Sequence, residues 1–179
     1  MHLSLQALMN TFRHGMEDLD AEKTQLHPHN DPAQWSVQQV VGHLVMTYRS
    51  TGNLLQDRLS KGRPVARKPR LREWLLQRLI LTLGHFPKGI SAPAEVQPAR
   101  AEIQPADGAA LLCVLQSELE KMEGALEECR RQFGAQRIAT HFALGPMSVE
   151  QWVRFHAVHG MHHRKQVSRV RAAIGAPPR

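Results

Sequence analysis

Four imidazoles fall within residues 156–163 of the stretch GPMSVEQWVRFHAVHGMHHRKQVSRVRAAI: His156, His159, His162 and His163. Neutral imidazole binds divalent metal ions and works as a base near neutral pH, so the direction of each ring decides what the stretch can do. At about 100° per residue, Val149, Trp152, Val167, Val170 and Ile174 lie within about 40° of His156 and mark a buried stripe. His163 lies about 20° from His156, His159 about 60° and His162 about 120°. Three rings therefore belong to the stripe, and His162 sits on its flank.

Burying such rings is costly unless each finds a partner. His159 and His163, one helical turn apart, can place two nitrogens on one metal ion. Spacing alone leaves a structural reading equally open. Eleven histidines in 179 residues make some clustering a matter of chance, and a buried histidine is commonly just hydrogen-bonded.

The helix that carries them has clear ends. Gly145-Pro146 breaks what precedes it, Ser148 is an N-cap with Gln151 in the capping-box position, and Gly175 with Pro177-Pro178 stops it. Upstream, Leu5, Leu8, Met9, Phe12, Met16 and Leu19 predict a first amphipathic helix over about 3–19. Residues 24–32 form a connection in which His27 and His29 face water. A second long helix runs from Ser36 to Gly62, with Val37, Val40, Val41, Leu44, Tyr48, Leu55 and Leu59 as its stripe. His43 lies on the margin of that stripe, where a bundle helix faces its neighbour across a cleft. Read alone, it is a structural histidine.

LREWLLQRLILTLG predicts a short helix ending at Gly84. The Pro-rich HFPKGISAPAEVQPAR is either a wall over a pocket or a plain surface crossing. A third long helix follows Asp107 and ends at Gly134, and RIATHFALG (137–145) reads as a linker. No strand, nucleotide-binding glycine motif or Ser-His-Asp arrangement is predicted. The expectation is an all-α four-helix bundle with one short extra helix, a single domain over residues 1–179.

Composition narrows the function. No apolar run approaches the ~18 residues of a membrane span, and MHLSLQALMNTFRHGMEDLD is amphipathic and partly acidic rather than signal-like. Cys113 and Cys129 would sit on one helix about 24 Å apart, too far to bridge. They read as buried, inert thiols in a reducing cytoplasm. The net charge of +7 owes much to Lys61–Arg72. That run reads as a solvated loop, and aromatic residues beside it are too few for a nucleic-acid stacking platform. An acidic partner bound there would show strong salt dependence.

The block HFALGPMSVEQW followed by HGMHHRKQV, together with QWSVQQVVGHL and FPKGISAPAEVQP, resembles the DinB/YfiT-like metalloenzyme superfamily. The resemblance implies a four-helix bundle in up-down-down-up order. It also implies a divalent metal, zinc or nickel, on three histidines at the positions of His43, His159 and His163. Such a site leaves coordination positions open, as catalytic sites do. The implied activity is a metal-dependent transferase or hydrolase acting on a small molecule, with a low-molecular-weight thiol among the candidates, and homodimers are common in the family. His156, one turn before His159, is expected to be a hydrogen-bond donor behind the ligands, a catalytic base, or a substitute for His43. His85 and His141 stand on loops that can fold over the open metal face, and His162 is expected to pack between helices or bond a backbone group. A non-catalytic bundle that binds a ligand or protein partner is the competing reading.

Overall fold

The computed structural model of the chain describes residues 2–86, 93–98 and 104–176. Its architecture is mostly helical. Helix α1 covers Leu3–Met16, α2 Ala21–Gln25, α3 Val37–Lys61, α4 Leu71–Gln77, α5 Gly108–Phe133 and α6 Val149–Ala173. A π-helical turn, Arg78–Thr82, continues α4, and single 3-10 turns occur at Pro28–Asn30 and Ala94–Val96.

The long helices begin where their caps demand. Ser36 and Gln39 form a reciprocal capping box for α3, and Ser148 and Gln151 do the same for α6. The Asp107 carboxylate accepts the Ala110 N–H at 2.8 Å and opens α5. Gly62, in the left-handed region at φ 63°, ends α3.

Amphipathic stripes then decide the packing. Helix α3 lies most extensively along α5, and α1 along α6, with further contact between α3 and α6 and between α5 and both α1 and α6. All six apolar residues expected on the first helix face are buried, and buried apolar residues from Leu5 to Ala176 form one contiguous core. No helix among the described residues is long and apolar enough to cross a membrane.

One expectation fails outright. Residues 137–145, expected to be a linker, begin a β-hairpin. Strand β1, Arg137–His141, pairs antiparallel with β2, Gly145–Ser148, with an irregular register between Arg137 and Ala139. Ile138, Ala139 and Met147 are fully buried. The His141 ring closes the turn by accepting the Ala143 and Leu144 N–H groups at Nδ1, at 3.1 and 3.2 Å. Gln77, near the end of α4, donates to the Leu144 and Pro146 carbonyls and accepts from the Gln151 amide, so the short helix clamps the hairpin onto α6. Ser148 is both the last residue of β2 and the N-cap of α6, so nothing separates strand from helix.

Two further readings need correction. Cys113 is exposed rather than buried, because it lies off the stripe that buries Cys129. The basic run is only partly a free loop. The Val65 N–H donates to the Arg137 carbonyl at 2.8 Å, and Arg67 forks onto Glu73 at 2.7 and 2.9 Å.

Two single contacts pin the α1 end of the core. Arg171 on α6 is buried and donates through both terminal nitrogens to the Asp18 carboxylate, at 2.7 and 3.0 Å, and to the Gly15 carbonyl. Asp18→Ala would take the carboxylate away from that buried guanidinium, and we expect a loss of about 3 kcal/mol in urea unfolding. A loss below about 1 kcal/mol would show that the pair behaves as a surface ion pair. Gly108, whose N–H donates to Leu19 at 2.8 Å, has its Cβ direction 1.7 Å from the Met16 carbonyl oxygen. Gly108→Ala must therefore push backbone apart, and a destabilisation of about 3 kcal/mol is expected in the same assay. A variant with the wild-type midpoint would show that α5 can slide at no cost.

Candidate metal centre

The α3–α6 packing carries the margin of α3 onto the stripe of α6. His43, His159 and His163 meet there, all three buried, close enough to hold one metal ion. The Nε2 atom of His159 lies 3.3 Å from His43 Nε2 and 3.1 Å from His163 Nε2. Zinc–imidazole bonds of about 2.0–2.1 Å in a tetrahedral arrangement separate ligand nitrogens by about 3.3 Å. The donor set fits a divalent cation in both chemistry and spacing.

The outer nitrogens fix the tautomers. His43 Nδ1 donates to the Val96 carbonyl at 2.7 Å, and His163 Nδ1 to Gln166 Oε1 at 2.9 Å. Each proton therefore sits on Nδ1 and leaves an Nε2 lone pair facing the cluster. Burial holds all three rings well toward the neutral form, with neighbouring imidazoles adding to the effect. Aromatic rings wall the cluster. Phe155 stacks on His159 at 5.3 Å and 11°, Trp35 stacks on His163 at 6.4 Å, and Phe86 lies 5.5 Å from His159.

The cluster borders a cavity of about 1290 Å³. Its walls include the aromatic rings above, the hairpin turn with Phe142, and apolar side chains such as Leu54 and Ile80. The described part of the Pro-rich segment, residues 93–98, lies against α3 and supplies both a wall of this cavity and the carbonyl that orients His43. Residues 87–92 and 99–103 lie outside the described residues.

The remaining histidines separate. His156 is fully buried among Tyr48, Trp152 and Phe155, does not join the cluster and does not border the cavity. Neither of its ring nitrogens has a hydrogen-bond partner among the described residues, and the same holds for His159 Nδ1, the Tyr48 hydroxyl and the Trp152 indole N–H. His141 borders the cavity from the hairpin, whereas His85 is exposed and does not. His162, expected between helices, is exposed at the cavity edge with Phe86 5.3 Å away. His27 is half-buried, its ring bonded to the Gln34 carbonyl, and His29 is exposed.

Two functional groups escaped the sequence reading. Gln166 stands three residues after His163, a spacing that puts it on the same face and was available as a signal. The Val96 carbonyl has no signal, because a backbone acceptor carries no residue type.

No curated protein and no solved structure matches the chain significantly. The DinB superfamily model matches residues 5–167, a span that holds all three clustered histidines. With a helical architecture and three convergent imidazoles already in place, that match over most of its length establishes that the chain belongs to the DinB superfamily.

Proposed function

We propose that the chain is a metal-dependent enzyme, a transferase or hydrolase of small molecules, with zinc or nickel on His43, His159 and His163. The observation that carries this reading is the convergence of three Nε2 atoms beside a large, mostly apolar cavity. Bound there, a divalent cation supplies Lewis acidity that turns water or a thiol into a nucleophile at neutral pH. The protein's own groups do the rest. Val96 and Gln166 orient the ligands, and Trp35, Phe86 and Phe155 exclude water. His156 is in this reading a positioning residue that holds the α6 stripe behind His159. A low-molecular-weight thiol is the leading candidate for one substrate.

The same reading takes the chain as one domain, its long helices bundled in up-down-down-up order, in the cytoplasm. The single contiguous core supports the first point and the two unpaired cysteines are consistent with the last.

The test is turnover. Zinc- or nickel-loaded protein is assayed for thiol transfer and for ester and amide hydrolysis. Activity should vanish on chelation and in His159→Ala. Turnover that survives both would overturn the reading.

A non-catalytic, partner-binding bundle has one observation in its favour. Leu71, Trp74 and Leu75 stand exposed on one side of α4. A homodimer through that face belongs to this second reading, and sedimentation of the wild type against Trp74→Glu checks it.

A further inference from the structure

The hairpin end of the cavity contains a polar group that the metal reading does not use. His141 accepts two backbone N–H groups at Nδ1, from Ala143 and Leu144. A nitrogen that accepts cannot carry the ring proton, so the proton sits on Nε2. Nε2 has no partner among the described residues, yet the side chain borders the cavity. With one ring edge turned to the hairpin backbone, the other edge, bearing Nε2–H, is left for the cavity.

The surroundings define what that donor can meet. The His141 ring packs at 4.6 Å against Phe155, whose ring stacks on His159. His141 and the metal ligand therefore flank a single phenyl ring. Phe142, Leu144, Leu76 and Trp152 add apolar wall at the same end. The nearest cation on α6 that borders the cavity is Arg169, fourteen residues beyond Phe155 and so about 21 Å along the helix. In the metal-free chain no cationic side chain among the described residues borders the hairpin end, so an anion there would lack a counter-charge, whereas a neutral oxygen would gain a hydrogen bond. Burial also pulls the His141 imidazole down to about 4, so the ring stays neutral and singly protonated at pH 7.

We propose that the hairpin end of the cavity is a binding subsite for the neutral carbonyl of an aromatic or otherwise apolar acyl compound, with His141 Nε2–H as the donor to that oxygen. The inference rests on the proposed function in taking this cavity as the substrate site. It names the substrate class, an uncharged apolar ketone, ester, amide or thioester whose carbonyl is held beside His141, which packs on the same Phe155 ring as His159.

The probe is the naphthyl ketone prodan, whose emission moves to longer wavelength when its carbonyl accepts a hydrogen bond. His141→Asn is the decisive variant. The Asn carboxamide oxygen can replace Nδ1 as acceptor for the turn N–H groups, whereas its NH2 stands one bond short of the Nε2 position and so withdraws the donor from the cavity. Wild-type protein should bind the ketone, with and without zinc. His141→Asn should bind it about tenfold more weakly and with emission shifted to shorter wavelength. The parent dimethylaminonaphthalene, which lacks the carbonyl, should bind both proteins equally. Equal ketone affinity and emission in the two proteins would overturn the proposal, as would a wild type that binds the carbonyl-free amine but not the ketone.

Should His141→Asn fail to fold, the imidazole nitrogen spectrum of the wild type decides. His141 must be the Nε2-protonated tautomer, and its Nε2 signal must move on adding the ketone. An Nδ1-protonated ring, or an unmoved signal, overturns the proposal. Because binding is read on metal-free protein as well, a chain that binds no metal would sink the metal reading and leave this one standing.

Discussion

Zinc added to the metal-free chain should raise its thermal midpoint by about 5–10 °C. At a free concentration one hundred times the dissociation constant, a ligand that binds only the folded state stabilises it by about 2.7 kcal/mol. For a chain of this size each kcal/mol is worth about 2–4 °C. The shift should disappear in a His159→Ala/His163→Ala double variant, which keeps one ligand of the three. Gln166→Ala keeps all three ligands and loses only the acceptor that orients His163, so affinity should fall about 10–100-fold without being abolished. Elemental analysis of untagged protein supplies the stoichiometry, one metal per chain. A wild type that takes up neither zinc nor nickel would leave three buried imidazoles as a purely structural cluster.

Acid should destabilise the chain well before its carboxylates titrate. Burial lowers His156 to about 3 and His141 to about 4, against about 6.5 for a free imidazole. Below pH 6.5 the unfolded chain therefore binds protons that the folded chain does not. The contribution is complete above pH 6.5 and is lost as the pH falls toward the folded-state values. Each group costs about 1.4 kcal/mol per pH unit in that window, so the two together remove about 4 kcal/mol between pH 7 and pH 5. The lowered His43, His159 and His163 act in the same direction in metal-free protein. Glu73, held down to about 2 chiefly by its hydrogen bond to Arg67, loses its contribution only below about 4.5 and so does not confuse the measurement. Urea midpoints across pH 5–7 read the effect, and His141→Asn should flatten the slope. A midpoint independent of pH over that range would show that the buried rings already find protons or water.

What was legible in the sequence divides by range of interaction. Helices α3, α5 and α6 announce themselves through Ser36, Asp107 and Ser148, because a cap is a local hydrogen bond between residues two or three apart. His159 and His163 share one helix, so their convergence follows from helical geometry. His43 comes from another helix, and its place in the cluster depends on how α3 crosses α6, which periodicity does not encode. The hairpin was missed because β1 has five residues and β2 four, too few for alternation to show, and Gly145-Pro146 reads as a break rather than a strand. Its stability comes from distant partners: the Gln77 amide bonds its turn, and its own Ile138 and Met147 are buried in the core that the helices build. Cys113 and His162 were misjudged for a simpler reason. Cys113 lies well off the α5 stripe, about 120° round from Leu119, and His162 lies on the flank of the α6 stripe, so both meet solvent.

The direct passage from β2 into α6 at Ser148 sets where this chain can change length. A residue inserted between Ser148 and His159 would turn the lower part of α6 by about 100° and advance it by about 1.5 Å relative to the hairpin. Either His159 and His163 leave the cluster or the hairpin leaves its clamp on Gln77. Deletions act the same way with the opposite sign. Insertions before Leu71 meet no such constraint, since the segment between Gly62 and Arg70 touches the rest of the chain mainly through Val65 and Arg67. Natural variation in length, and any tag or domain spliced in by design, should therefore accumulate ahead of α4 and be excluded from 148–163.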